Sequence, residues 1–159
     1  MCSSDLRGEA SAYHALDEAK RFVVAGRVGV GSIIGSELED IPANRRFYAG
    51  GGGSVRGFGY QGIGPRDMFG NPTGGRSKLE ASAEVRIGIT DTIGIVPFVD
   101  AGMVSEDPYF SGGELKVGAG LGLRYTTPFG PLRLDVAVPL VKDENDPDYG
   151  IYAGIGQAF

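Results

Sequence analysis

The sequence predicts an all-β fold: about six full strands and one partial strand of an antiparallel transmembrane β-barrel, with a long loop inserted into the lumen. Three observations carry this reading. Several stretches of 10–14 residues alternate apolar side chains with charged residues and glycine. Soluble strands are usually nearer about five or six residues, whereas a tilted strand needs about 9–11 to cross a bilayer. Connections alternate between short and longer, as in barrels with tight turns on one side of the membrane and extended loops on the other. The longest connection, 35–75, is glycine-rich yet holds Phe47, Tyr48, Val55, Phe58 and Tyr60 around Arg56. A loop that met only solvent would have no use for those side chains.

Composition removes several alternatives. A length of 159 residues suits one domain. A net charge of −5 argues against nucleic acid as a partner. Cys2 and His14 are the only residues of their kinds, so no disulfide or thiolate metal cluster forms within the chain, and most histidine chemistry is excluded. No apolar run approaches the roughly 18 residues of a membrane helix. The start, Met1-Cys2-Ser3-Ser4-Asp5-Leu6, lacks the basic end and apolar centre of a signal peptide. Residues 1–7 are read as a non-native or disordered start of a truncated reading frame.

Gly8–Leu16 is a short, weak strand and the incomplete one of the seven, followed by a polar turn at 17–20. In Arg21–Ile34, Phe22, Val24, Val28 and Val30 share one parity, and Arg27, Gly29 and Gly31 the other. After the 35–75 loop, Arg76–Ile89 shows the clearest alternation. Leu79, Ala81, Ala83, Val85 and Ile87 point one way, and Lys78, Glu80, Ser82, Glu84 and Arg86 the other. Ile93–Val104 follows a turn at 90–92 and carries one charge, Asp100. Glu114–Thr127 sets Leu115, Val117, Leu121 and Leu123 against Lys116, Gly118, Gly120, Gly122 and Arg124. Leu132–Val141 sets Leu134, Val136 and Val138 against Arg133, Asp135 and Ala137. In Tyr149–Phe159, Tyr149, Ile151, Ile155 and Phe159 form the outer set, which ends on an aromatic residue at the interface, and Tyr152 lies on the other face.

The apolar sets face lipid and the charged and glycine sets face the lumen. Seven strands are too few to close a barrel around such a loop, and an open sheet edge is not viable in lipid. Residues 8–159 are therefore read as the C-terminal portion of a larger barrel. Arg56, buried with its loop, needs carboxylate partners, because an unpaired buried charge is very costly.

The stretches FYAGGGGSVRGF (47–58), GPRD (64–67), GGRSKLEASAEVR (74–86), FVDAG (98–102), GAGLGLRYTTPFGPLRLDVAVPL (118–140) and IGQAF (155–159) together resemble the POTRA-barrel insertase and translocase (bacterial surface antigen) family. The last two favour its TamA-like branch over the BamA-like one. The resemblance implies a barrel of about sixteen strands in the outer membrane of a Gram-negative bacterium, with POTRA domains ahead of it. It implies a lumenal loop motif, Val55, Arg56, Gly57 and Phe58, with Glu84 and Asp100 as partners of the arginine. Tyr149, Ile151, Ile155 and Phe159 would be the C-terminal strand signal. The implied function is assistance in inserting or secreting autotransporter-type barrels. Outer-membrane lipid, the missing N-terminal strands and POTRA domains, a TamB-like inner-membrane protein and client β-barrels would be the partners. The alternatives are a passive pore and a BamA-like general insertase. No enzymatic step, cofactor or metal is implied.

Other chemistry finds little support. The glycine run lacks the spacing of a phosphate-binding loop. Asp143, Glu144, Asp146 and Asp148 lack EF-hand spacing and read as a solvated loop. Glu80 and Glu84 share a wall with Lys78, Arg86, Arg124 and Arg133, which is charge balance rather than a catalytic pair.

Overall fold

Period-2 alternation becomes one curved wall. The computed structural model describes residues 4–159. Seven strands form a single antiparallel sheet in chain order: β1 (Ser4–Ala15), β2 (Phe22–Ile34), β3 (Ser77–Gly88), β4 (Ile93–Ser105), β5 (Lys116–Thr127), β6 (Gly130–Val141) and β7 (Gly150–Ile155). Two single 3-10 turns, Leu38–Asp40 and Ala43–Arg45, are the helical segments among the described residues. The β1–β2, β3–β4 and β5–β6 connections are tight. In the first, the Asp17 carboxylate accepts the Arg21 and Phe22 amides. In the second, the Thr90 hydroxyl accepts the Thr92 and Ile93 amides.

The two end strands depart from expectation. The first strand was expected to be the partial one, but β1 is full length, with Ser4–Arg7 paired to Gly31–Ile34. Main-chain ladder bonds need no apolar alternation, so a segment with a weak pattern, set aside as non-native or disordered, still pairs. Met1–Ser3 lie outside the described residues. The short strand is β7, whose six residues pair with Leu132–Ala137. Gly156, at φ 96°, turns the chain out of the ladder before Phe159.

The outer face is apolar and bare: Val28, Val30, Leu121, Leu123, Leu134, Val136, Val138 and Ile151 are all exposed. The inner face buries Glu84, Asp100, Asp135 and Arg124 beneath the 35–75 loop. This inversion of a soluble protein's pattern is that of a membrane barrel. The loop adds its own small core. Ala49, Val55, Phe58 and Ile63 pack with Val104 of β4, and Ile41 and Phe47 pack with Ile33 of β2. Phe47 pairs with Gly75, and Ala49 with Ile63, so the loop descends and returns as an irregular hairpin with its tip at 55–58.

Candidate functional site

The tip is bent by its glycines and filled by its apolar residues. Val55, Arg56, Gly57 and Phe58 are all buried. Gly57 adopts φ 101°, and a Cβ there would come within 3.1–3.2 Å of the Val138–Pro139 backbone. Gly118 leaves β5 flat where the Arg56 carbonyl lies against it. Gly52 and Gly53 present carbonyls to Arg133 of β6 and Arg27 of β2, which reach in from opposite parts of the wall. The Ser54 hydroxyl bonds Glu80 and accepts the Gly50 amide at 2.9 Å.

Arg56 is 2% exposed. Its Nε donates to Asp100 Oδ2 at 2.7 Å and its Nη2 to Asp100 Oδ1 at 2.9 Å, a two-pronged pairing. The Arg56 amide donates to the same Oδ2 at 3.0 Å. Nη1 reaches Asp135 Oδ2 at 3.2 Å, and Nη2 reaches Glu84 Oε2 at 3.5 Å. The guanidinium lies 3.4 Å from the centre of the Phe98 ring. Burial pulls the Arg56 pKa down, but hydrogen bonds and charge from Asp100 and Asp135 outweigh it and leave the pKa raised.

The acids are balanced in turn. Arg86 donates to Glu84 at 2.7 Å, and Arg124 to Asp135 at 2.5 Å. Three carboxylates therefore meet three guanidiniums, with Arg133 3.7 Å from Asp135 at the edge. Such a cluster holds a loop in one place.

The residues expected around Arg56 thus come together: Glu84 and Asp100 both reach it, Asp100 at the shorter distances. Sequence reasoning missed Asp135, although its parity already put it on the lumen face. It also missed Phe98, from the inner set of β4, and Tyr152. The C-terminal set divides. Tyr149, Ile151 and Ile155 are exposed on the outer face. Phe159 leaves the outer set. Its ring lies near Tyr13 and the Arg27 and Arg86 guanidiniums at 5.4–6.3 Å, and its main-chain oxygen accepts Arg86 at 2.8 Å. The turn at Gly156 breaks the parity that would have kept it outward.

The comparisons agree with this architecture. The Omp85 superfamily domain matches residues 2–159. The outer membrane protein assembly factor BamA of Nitratidesulfovibrio vulgaris is 34% identical over 137 residues, covering 83% of this chain and 17% of that protein. BamA of Neisseria meningitidis serogroup B is 28% identical, covering 92% and 23%. The crystal structure of BamA from Haemophilus ducreyi lacking POTRA domains 1–3 superposes with a TM-score of 0.76 at 25% identity, over 94% of this chain and 34% of that one. This chain spans about a fifth of the length of these two curated relatives. Its sequence and its seven-stranded wall belong to the Omp85 superfamily.

Proposed function

We propose that this chain serves in an outer-membrane assembly factor that helps client β-barrel proteins enter the outer membrane of a Gram-negative bacterium. The observation that carries the reading is the Arg56 cluster, which pins a long loop inside the lumen with three carboxylates from three strands. A passive pore would keep that space open, and here the loop fills it. Steady large conductance of the full-length protein in planar bilayers would support the pore instead. No chemical reaction is proposed.

The latch holds the lumen in the shape needed while a client strand is accepted. Two versions of the client differ. The relatives named BamA support a general insertase. The TPFGPLRLDVAVPL run and IGQAF ending support the TamA-like version, with autotransporter clients, POTRA domains ahead of the barrel and a TamB-like inner-membrane partner. Depleting the full-length protein in its own host separates them: loss of barrel proteins in general supports the first, and selective loss of autotransporters the second. An Arg56→Ala protein that assembles clients at the wild-type level would sink the latch reading.

A further inference from the structure

Strand β7 has the shortest pairing in the wall. It pairs over six residues, whereas the other strands run to 12 or 13, and two of the six are glycine. Glycine inside a strand weakens it. One side chain links this strand to the buried tip. The Tyr152 hydroxyl accepts the Gly57 amide at 2.9 Å and donates to the Phe58 carbonyl at 2.8 Å. A phenol has one proton to give, so its donor is fully used here. The ring lies in a slot kept bare on both sides. A Cβ at Gly52 would come within 2.8 Å of it, and a Cβ at Gly150 within 2.7 Å of its Cζ. None of the three carboxylates that hold Arg56 comes from β7.

We infer that Tyr152 is a positioning residue that ties the last strand to the loop tip, so that β7 separates from β6 only when the Gly57–Phe58 turn is released. The tip and the last strand then open as one unit. The tie rests on geometry alone. Its consequence for client insertion rests on the proposed latch.

Hydrogen exchange on the full-length protein in lipid nanodiscs tests this. Tyr152→Phe keeps the ring in its slot and removes both hydrogen bonds. Amides of 150–155 and 57–59 are expected to exchange about tenfold faster, with β4 and β5 unchanged. Gly52→Ala pushes the ring from the loop side and is expected to speed β7 likewise. It also serves as the test if Tyr152→Phe does not fold. Loosening the tip by Arg56→Lys should speed β7 in the wild-type background and add little in Tyr152→Phe. Wild-type exchange of β7 in Tyr152→Phe, or in Gly52→Ala if Tyr152→Phe does not fold, overturns the inference. So does an equal effect of Arg56→Lys in both backgrounds. Faster exchange with unchanged client insertion supports the tie and counts against the latch reading.

Discussion

Two cationic centres sit on this wall, and they are built differently. Arg56 enters from a loop and is enclosed by acids on β3, β4 and β6, each side chain fully buried. Lys116 starts β5 at the rim. It meets Asp143 at 2.5 Å, Glu114 at 3.4 Å and Asp146 at 3.5 Å, and the first two acids are largely exposed. A planar guanidinium directs five donors at fixed angles and suits several carboxylates held by rigid strands. An ammonium is a point charge with rotatable donors and tolerates acids at less fixed angles. Only the first arrangement defines where a long loop must lie. The second fastens one outer loop to a strand end.

Breaking the inner centre should have the largest effect. Arg56→Lys keeps the charge but cannot reproduce the paired contact to Asp100 together with Asp135. It should destabilise the full-length barrel by about 3 kcal/mol, the upper end of the cost of leaving buried charged groups short of hydrogen bonds. Urea unfolding and heat-modifiability on gels measure this, and a wild-type midpoint would refute the enclosure argument.

Asp135→Asn is next. It withdraws charge from Arg56 and Arg124 at once, and Arg124 Nη2 already lacks a hydrogen-bond partner. A loss of about 1–3 kcal/mol is expected. Double-mutant cycles with Arg124→Met should then show strong coupling. Gly118→Ala tests the fit without touching charge. Its Cβ would run into the Arg56 carbonyl, at a cost of about 1–3 kcal/mol. Unchanged stability there would mean the tip has room to shift.

The rim centre should respond least, and to different variables. Lys116 is itself buried but two of its three acids are exposed, so Lys116→Met should cost less than Arg56→Lys, and the difference from wild type should shrink in 1 M salt, where the Debye length is about 3 Å. The Arg56→Lys deficit should persist in that salt. Acid sharpens the contrast. The hydrogen bond from Lys116 holds the Asp143 carboxyl below its ordinary value. A depressed folded-state pKa contributes stability above the unfolded value of about 3.9, and loses it as pH falls through the folded value. The wild-type advantage over Lys116→Met should hold from pH 7 down to about 4 and fade below. An advantage that grew on acidification would reverse the assignment.

Much of the wall was legible because strand parity is strict. Each charge on β3 and β5 lies on the face that alternation assigns it. The same parity put Glu84, Asp100 and Asp135 inward, but it carries no distance along or across the barrel. It could not separate Asp135, which reaches Arg56, from Glu80, an inward acid that bonds Ser54 instead. At the ends the reasoning failed for a local cause. Pairing with β2 extended β1 to Ser4, and one positive-φ glycine ended β7 early and turned Phe159 inward.

The sequence by itself determined the period of the strands after the first, the apolar outer face, the alternation of connections and the need of Arg56 for acids. Those follow from covalent geometry and from the cost of burying a charge. The register between strands, the third carboxylate, the stacking on Phe98 and the Tyr152 hydroxyl between Gly57 and Phe58 were decided only in three dimensions. They depend on which residues of distant strands come opposite one another once the sheet curves around its loop.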